Sequence, residues 1–273
     1  MVQRIVTGAT LVAALVVLTW LGPWALAVVA FAAYARTIYE ELNVLKLAKY
    51  RPVHWSSYAA LVLSIPLVLL YSYNLIVPLL VGLGFCVVLQ IMRREKPEFL
   101  DIAMSLLPML TLVLPAMCMF GIIATQPRSL QIYLFALALG VPIAGDTAAY
   151  FVGSLLGRHK LCPAISPKKT VEGAAGGLVG SVLLALLCYA AFAAADASFA
   201  LPPLWHTPVI GLAAGIGGQV GDLFASMIKR HCGVKDFSSL FPGHGGMLDR
   251  MDSINFSVMV VFCYRLVYFA LNP

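Results

Sequence analysis

Apolar runs of about twenty residues follow one another along almost the whole chain, and short polar segments separate them. A helix of that length crosses the hydrocarbon core of a bilayer, where only helices and closed barrels satisfy every backbone polar group internally. The runs therefore predict an all-α, polytopic integral membrane protein with about nine transmembrane helices. We place these spans at residues 5–21, 23–38, 57–72, 74–92, 102–124, 129–153, 171–194, 207–228 and 254–271.

The composition supports this class over a water-soluble one. Hydrophobic residues make up 61% of the 273 residues and charged residues only 11%, and the mean hydropathy is +0.92. Soluble domains of this size carry roughly twice that share of charge, about 25%. We therefore treat residues 1–273 as a single transmembrane domain, in which residues 1–128 are mainly scaffold spans and residues 129–271 carry the polar motifs.

The basic residues predict the orientation of the spans. In the nine-span arrangement, all but two of the 18 Lys and Arg residues fall on one side of the membrane, the exceptions being Arg128 and Arg265. Because cytoplasmic loops collect Lys and Arg, this side is cytoplasmic. The N-terminus is thus expected inside the cell and the C-terminus outside.

Two aspartates, Asp146 and Asp222, fall inside predicted spans. A carboxylate at membrane depth costs at least ~2.5–3.5 kcal/mol, so it usually faces a protein interior or a wet cavity and has a function. The structural alternative is a carboxylate that pairs with a cation and joins two helices. On a helix, Gln219, Asp222, Ser226 and Lys229 follow one another at i, i+3, i+7 and i+10 and so form one polar stripe.

A polar loop from His231 to Asp252 follows this stripe. Gly243, Gly245 and Gly246 allow backbone N–H groups to approach a ligand closely, as in phosphate-binding loops, although a plain tight turn is the alternative. Asp249 and Asp252 offer the hard oxygen ligands that Mg²⁺ takes in nucleotide sites. Four cations in or beside the loop complete a candidate polyphosphate site: Lys229, Arg230, Lys235 and Arg250.

A second polar block precedes the seventh predicted span. Ser166 and Pro167 suit the N-cap and the first position of that helix. A positive helix end and two lysines, Lys168 and Lys169, would then lie at the cytoplasmic mouth. Ordinary enrichment of cations beside a cytoplasmic helix end is the alternative for the two lysines.

The run from Ser226 to Asp252, SMIKRHCGVKDFSSLFPGHGGMLDRMD, resembles the motif of the phosphatidate cytidylyltransferases, also called CDP-diacylglycerol synthases. The stretches GDTAAYFVG (145–153), GRHK (157–160) and SPKKTVEG (166–173) are similar to the other recurrent block of that family. The resemblance implies transfer of CMP from CTP to phosphatidic acid, giving CDP-diacylglycerol and pyrophosphate. It also implies a single catalytic domain in the cell (inner) membrane, with the active site facing the cytoplasm, and a homodimer; membrane lipids are expected partners and nucleic acid is not.

The resemblance also implies roles for individual residues. Asp222 and Asp249 would bind Mg²⁺ against the CTP phosphates, and Asp146 would be a third acid that either binds the metal or orients a ligand; a second cation such as K⁺ is left open. We expect catalytic contacts from Asp146, Asp222, Lys229, Arg230 and Asp249. We expect substrate contacts from Lys160, Ser166, Lys168, Lys169, Thr170, Ser226, Lys235, Asp236, His244, Gly245, Gly246, Arg250 and Asp252.

Two other functions stay open from the sequence. A cation-coupled transporter or lipid translocator would use Asp146 and Asp222 to bind an ion at depth, but the chain shows no internal repeat with a pair of broken helices. A related CTP-dependent enzyme would act on another lipid phosphate or on a polyprenol.

Overall fold

The computed structural model describes residues 17–70, 73–195, 201–241, 243 and 245–271. Its helices are α1 Pro23–Leu47, α2 Trp55–Leu69, α3 Ile76–Met92, α4 Phe99–Pro108, α5 Leu114–Ile123, α6 Arg128–Leu156, α7 Val171–Ala195, α8 His206–His231 and α9 Leu248–Leu271. A short antiparallel hairpin pairs β1 Lys160–Cys162 with β2 Ser166–Thr170. The all-α class is confirmed. Of the first predicted span, 5–21, the structure describes only residues 17–21, which are helical.

Six stretches of the described residues are long and apolar enough to cross a membrane. They are Tyr73–Met92, Phe99–Ile123, Arg128–Leu156, Val171–Ala195, His206–His231 and Leu248–Leu271, and α2 is a shorter apolar helix. Each coincides with a span predicted from the sequence. The polytopic membrane architecture is thus confirmed, while the count of nine spans stays a prediction.

Two prolines shape the long helix formed by α4 and α5. A π-helical turn, Met109–Val113, lies between Pro108, the last residue of α4, and Pro115 in the first turn of α5. Because Pro115 has no N–H, the carbonyl four residues earlier loses its α-helical partner, and such wide turns accommodate the loss. In this turn Thr111 Oγ1 lies 2.9 Å from the Leu107 carbonyl and 3.1 Å from Glu41 Oε2 on α1.

The chain divides into two compact units. The first contains the residues up to Ala124 together with the loop His231–Arg250. Its interior includes fully buried side chains from α1 and α5, such as Tyr34, Leu42 and Ile122. The second unit contains Thr125–Arg230 and the chain from Met251 onward.

Small residues bring α6 and α7 of the second unit into close contact. A Cβ added to Gly177 would lie 2.9 Å from the Gly145 carbonyl oxygen, and one added to Gly173 would lie 2.9 Å from the Ala149 carbonyl oxygen. Membrane helices pack by such small-residue contacts because the bilayer supplies no hydrophobic driving force between them. Gly221 of α8 likewise packs against the backbone of α9 at Asp252.

The expectation that Ser166 and Pro167 begin the seventh helix is wrong. Residues 166–170 form β2, and α7 begins at Val171. Thr170 caps the helix instead, since its Oγ1 accepts the Gly173 N–H at 3.1 Å. A proline biases the residue before it toward extended backbone, and Thr caps almost as well as Ser, so the cap moves to the residue that directly precedes the apolar run.

Candidate active site

Three carboxylates gather in the second unit: Asp146 of α6, Asp222 of α8 and Asp252 of α9. The Ser253 hydroxyl links two of them, since its Oγ lies 2.8 Å from Asp146 Oδ2 and 3.3 Å from Asp252 Oδ1. Asp222 and Asp146 are both close enough to act electrostatically on the Asp252 carboxylate. The structure thus brings together two acids predicted to be catalytic and one predicted to contact substrate.

Two lysines accompany these acids. Lys169 Nζ forms an ion pair with Asp222 Oδ2, and the two side chains keep 29% and 23% of their surface exposed. Lys229 is buried, and its charge acts favourably on Asp252. Three carboxyl groups and two ammonium groups thus lie in one cluster, and carboxylate oxygens are the donors that a hard divalent cation takes.

The polar stripe of α8 divides into two parts. Gln219 Nε2 donates to the Ala174 carbonyl at 2.8 Å and so joins α8 to α7. Ser226 Oγ lies 3.5 Å from Asp222 Oδ1, at the long limit of a hydrogen bond. The stripe therefore combines a helix-packing contact with a part that belongs to the acid cluster.

The β-hairpin presents the lysines predicted in the second block. Lys160 and Lys168 are exposed, and Arg230 Nε lies 3.5 Å from the Ile165 carbonyl at the hairpin turn. Glu172, in the first turn of α7, fixes the other end, because its carboxylate accepts the backbone N–H groups of Arg158 and His159. The sequence pattern does not predict this hairpin, since its strands have only three and five residues and carry no alternation of apolar and polar side chains.

In the first unit, Asp249 shapes the loop His231–Arg250, called the motif loop below. Its Oδ2 accepts the N–H groups of Phe237 at 2.8 Å and Gly246 at 2.9 Å. Gly245 has φ +80°, and a Cβ added there would lie 2.8 Å from Asp249 Oδ2, so this position requires glycine. The carboxylate predicted to bind metal is thus engaged in closing the loop.

A buried glutamate in α1, which no sequence motif singles out, anchors the same loop. Glu40 is 1% exposed and accepts hydrogen bonds from Ser238 Oγ at 2.7 Å and from the N–H groups of Met247 at 3.2 Å and Leu248 at 2.9 Å. Arg36, one turn earlier, pairs with it at 3.1 Å. Since Leu248 begins α9, Glu40 also places negative charge at the positive end of that helix. The sequence feature that could have indicated this role is the pair of adjacent acids, Glu40 and Glu41, in a mostly apolar segment.

The remaining predicted residues are distributed as follows. Lys235, Asp236 and Arg250 are exposed parts of the first unit, and His244 lies outside the described residues. Among the residues described, no three His, Cys, Asp or Glu side chains converge as a complete metal centre. Mg²⁺ usually takes one or two carboxylates and completes its octahedron with phosphates and waters, so the donors at Asp222 and Asp252 fit it.

Comparison with known proteins adds an independent finding. The model of the cytidylyltransferase family matches residues 2–268. The chain is similar to the phosphatidate cytidylyltransferase of Staphylococcus saprophyticus, with 39% identity over 166 residues that cover 61% of this chain and 60% of the relative. The corresponding protein of Staphylococcus haemolyticus is 37% identical over 61% of this chain and 60% of its own. That of Staphylococcus epidermidis is 35% identical over 65% of this chain and 64% of its own. The match thus spans less than two thirds of these relatives' own length.

Proposed function

The chain belongs to the cytidylyltransferase family, and we propose that it transfers the cytidylyl group of CTP to phosphatidic acid, giving CDP-diacylglycerol and pyrophosphate. The observation that carries this proposal is the cluster of Asp146, Asp222 and Asp252 with Lys169 and Lys229 inside a polytopic membrane protein. The names of the staphylococcal relatives support the choice of phosphatidic acid as acceptor.

The proposed reaction requires positioning more than proton transfer. A phosphate oxygen of the lipid forms a bond to the α-phosphorus of CTP, and the bond from that phosphorus to the bridging oxygen breaks, so that the electron pair leaves with pyrophosphate. Because the attacking oxygen is already anionic, it needs no general base. The residues of the chain therefore act by aligning two phosphate-bearing substrates and by neutralising their charge.

We propose that Asp222 and Asp252 provide the carboxylate oxygens for Mg²⁺, with Asp146 orienting the site through Ser253. When bound, Mg²⁺ would neutralise the phosphates of CTP and of the leaving pyrophosphate. A second cation such as K⁺ remains part of the proposal. A metal-binding role for Asp249 stays a prediction from the family resemblance, alongside its observed hydrogen bonds to the loop.

The ion pair between Lys169 and Asp222 suggests how the site accepts its charged substrates. Both side chains are partly exposed, so water weakens their attraction. We infer that Lys169 would turn to the phosphates of CTP, which would leave Asp222 available as a ligand. Lys229, which is buried, stays beside Asp252.

The positive-inside pattern supports a site that faces the cytoplasm, where CTP is made, in the cell membrane. The lipid phosphate would enter this polar region while the acyl chains stay in the bilayer. A homodimer is proposed from the family resemblance alone.

An assay with a lipid panel tests the proposal. Detergent-solubilised protein receives labelled CTP and Mg²⁺ with phosphatidic acid, a polyprenyl phosphate or a polyprenol. We expect CDP-diacylglycerol and one equivalent of pyrophosphate with phosphatidic acid. A product formed only with a polyprenyl acceptor would assign the related CTP-dependent activity. No product with any lipid, under conditions in which a known cytidylyltransferase works, would refute the proposal.

A further inference from the structure

The first unit contains a basic cavity that the proposed reaction does not use. It has a volume of about 570 Å³ and lies where α1 ends, α2 begins and α3 ends. Apart from Pro52, the residues that line it are polar, and four of them are cationic: Lys46, Lys49, Tyr50, Arg51, His54 and Arg94.

Only half of the cationic charge in this cavity is compensated within the part of the chain that the structure describes. Arg94 pairs with the buried Asp101 at 2.8 Å, and Arg51 lies 3.6 Å from Asp101 and 3.5 Å from Glu98. Lys46 and Lys49 have no carboxylate partner among the described residues. Two exposed ammonium groups therefore line an open pocket, and neither has a carboxylate partner in this part of the chain.

His54 is a neutral polar group in the same cavity. Its burial and the positive charge of Lys46 lower the pKa of His54, so the ring is neutral at physiological pH. Its Nε2 is buried and has no hydrogen-bond partner among the described residues. A neutral imidazole can donate one hydrogen bond, which is the interaction that an anionic oxygen accepts.

Lys49 occupies a position that normally belongs to glycine. Its φ is +68°, and it ends α1 with the two bonds of a Schellman motif, from Lys49 N to the Lys46 carbonyl at 2.9 Å and from Tyr50 N to the Leu45 carbonyl at 3.2 Å. A side chain in this conformation costs free energy that glycine avoids. The lysine places a cation both in the cavity and at the negative end of a helix.

Residues that lie close to the lining residues in the chain are typical of a membrane interface. Leu47, at the end of α1, is 70% exposed, and Met92, at the end of α3, is 65% exposed. Trp55, the first residue of α2, is 45% exposed while its Nε1 donates to Gln90 Oε1 at 2.8 Å. Apolar groups beside a tryptophan with a satisfied N–H are typical of the depth at which lipid head groups lie.

We propose that this cavity binds the phosphate group of an anionic phospholipid, with Lys46 and Lys49 neutralising the phosphate and His54 donating a hydrogen bond to it. Basic pockets between helix ends on the cytoplasmic side are suited to such head groups. The site shares no residue with the acid cluster that we assign to CTP, and the ligand need not be the substrate lipid. The proposal therefore stands whether or not the proposed reaction is correct.

Native mass spectrometry of the full chain in detergent tests this site with phosphatidylglycerol as the probe. Removing both free ammonium groups in a Lys46→Gln, Lys49→Gln double variant should weaken lipid binding about thirty-fold. The matched control is an Arg93→Gln, Lys96→Gln double variant, which removes the same charge from exposed positions beside the cavity and should bind as the wild type does. Lys49→Gly is a further test, because it should weaken binding while leaving the thermal unfolding midpoint equal or higher.

The competitors distinguish a lipid from a free phosphate. Excess glycerol 3-phosphate or inorganic phosphate should not displace phosphatidylglycerol, and phosphatidylcholine should not occupy the site. Equal loss of binding in the two double variants would show a general surface-charge effect and overturn the proposal. Full displacement by either soluble phosphate, or no bound phosphatidylglycerol in the wild type, would overturn it as well.

Discussion

Asp222 and Glu40 show how differently two carboxylates are used in this protein. Asp222 keeps part of its surface exposed and pairs with Lys169, a partner that water can weaken. Glu40 is enclosed, and its two oxygens accept three hydrogen bonds from the motif loop as well as that of Arg36. An exposed, weakly paired acid can exchange its partner for a ligand, whereas an enclosed, fully bonded acid fixes the backbone around it.

Replacing Glu40 with glutamine should loosen the motif loop without unfolding the protein. Glutamine retains the shape, but its amide nitrogen replaces one carboxylate oxygen and cannot accept a hydrogen bond. Since Met247 and Leu248 donate to different oxygens of Glu40, at least one of these N–H groups loses its acceptor, and each unsatisfied group costs about 1–3 kcal/mol. We expect kcat to fall about tenfold or more, with faster protease cleavage between residues 231 and 250 and a lower thermal unfolding midpoint.

Glu41→Gln is the matched control for this variant. Glu41 is equally buried and adjacent in α1, but its carboxylate bonds to Thr111 instead of the loop. In the Glu41→Gln variant, the rate of protease cleavage in the motif loop and kcat should stay at wild-type values. If both variants lose activity equally, Glu40 acts through the stability of α1 and has no specific effect on the loop.

Small residues set the position of the acid-bearing helices. Gly177 of α7 faces α6 and α8, since a Cβ there would lie 2.9 Å from both the Gly145 carbonyl oxygen and Gln219 Nε2. The hairpin and the Thr170 cap then position Lys169 against Asp222. The geometry of the candidate site thus depends on backbone contacts of α7 as much as on its polar side chains.

Gly177→Ala should destabilise the second unit. The added methyl group meets a backbone oxygen that cannot move away, and such overpacking typically costs about 1–3 kcal/mol. Gly82→Ala, on α3, is the matched control, because a Cβ there meets nothing within 4 Å. Thermal unfolding in detergent should give a lower midpoint for Gly177→Ala and an equal or higher one for Gly82→Ala. Equal midpoints for the two variants would contradict the assigned packing.

The helices could be predicted from the sequence because apolar runs and their lengths are local properties. The contacts that complete the site could not. Glu40 and Leu248 are 208 residues apart in the chain, and no local pattern predicts that one caps the helix that the other begins. The error at Ser166 has a similar origin, since Ser166 and Thr170 are both good caps and only the pairing of β2 with β1 decides between them.

At the scale of the whole molecule, the basic residues predict a cytoplasmic N-terminus and, for nine spans, an external C-terminus. Reporter proteins fused to the C-terminus test the orientation and the odd number of spans together. Alkaline phosphatase, which folds only outside the cytoplasm, should be active there, and green fluorescent protein should be dark. A fluorescent fusion with inactive phosphatase would require an even number of spans.

The central claim is that the acid cluster of the second unit performs cytidylyl transfer in the membrane. The most direct measurement is CDP-diacylglycerol formation from labelled CTP and phosphatidic acid by Asp222→Asn, beside the wild type and a Glu95→Gln control that removes an exposed acid elsewhere in the chain. We predict that Asp222→Asn loses activity at least about a hundredfold while its thermal unfolding midpoint stays close to that of the wild type, and that Glu95→Gln is fully active. Near-normal turnover by folded Asp222→Asn would contradict the assignment.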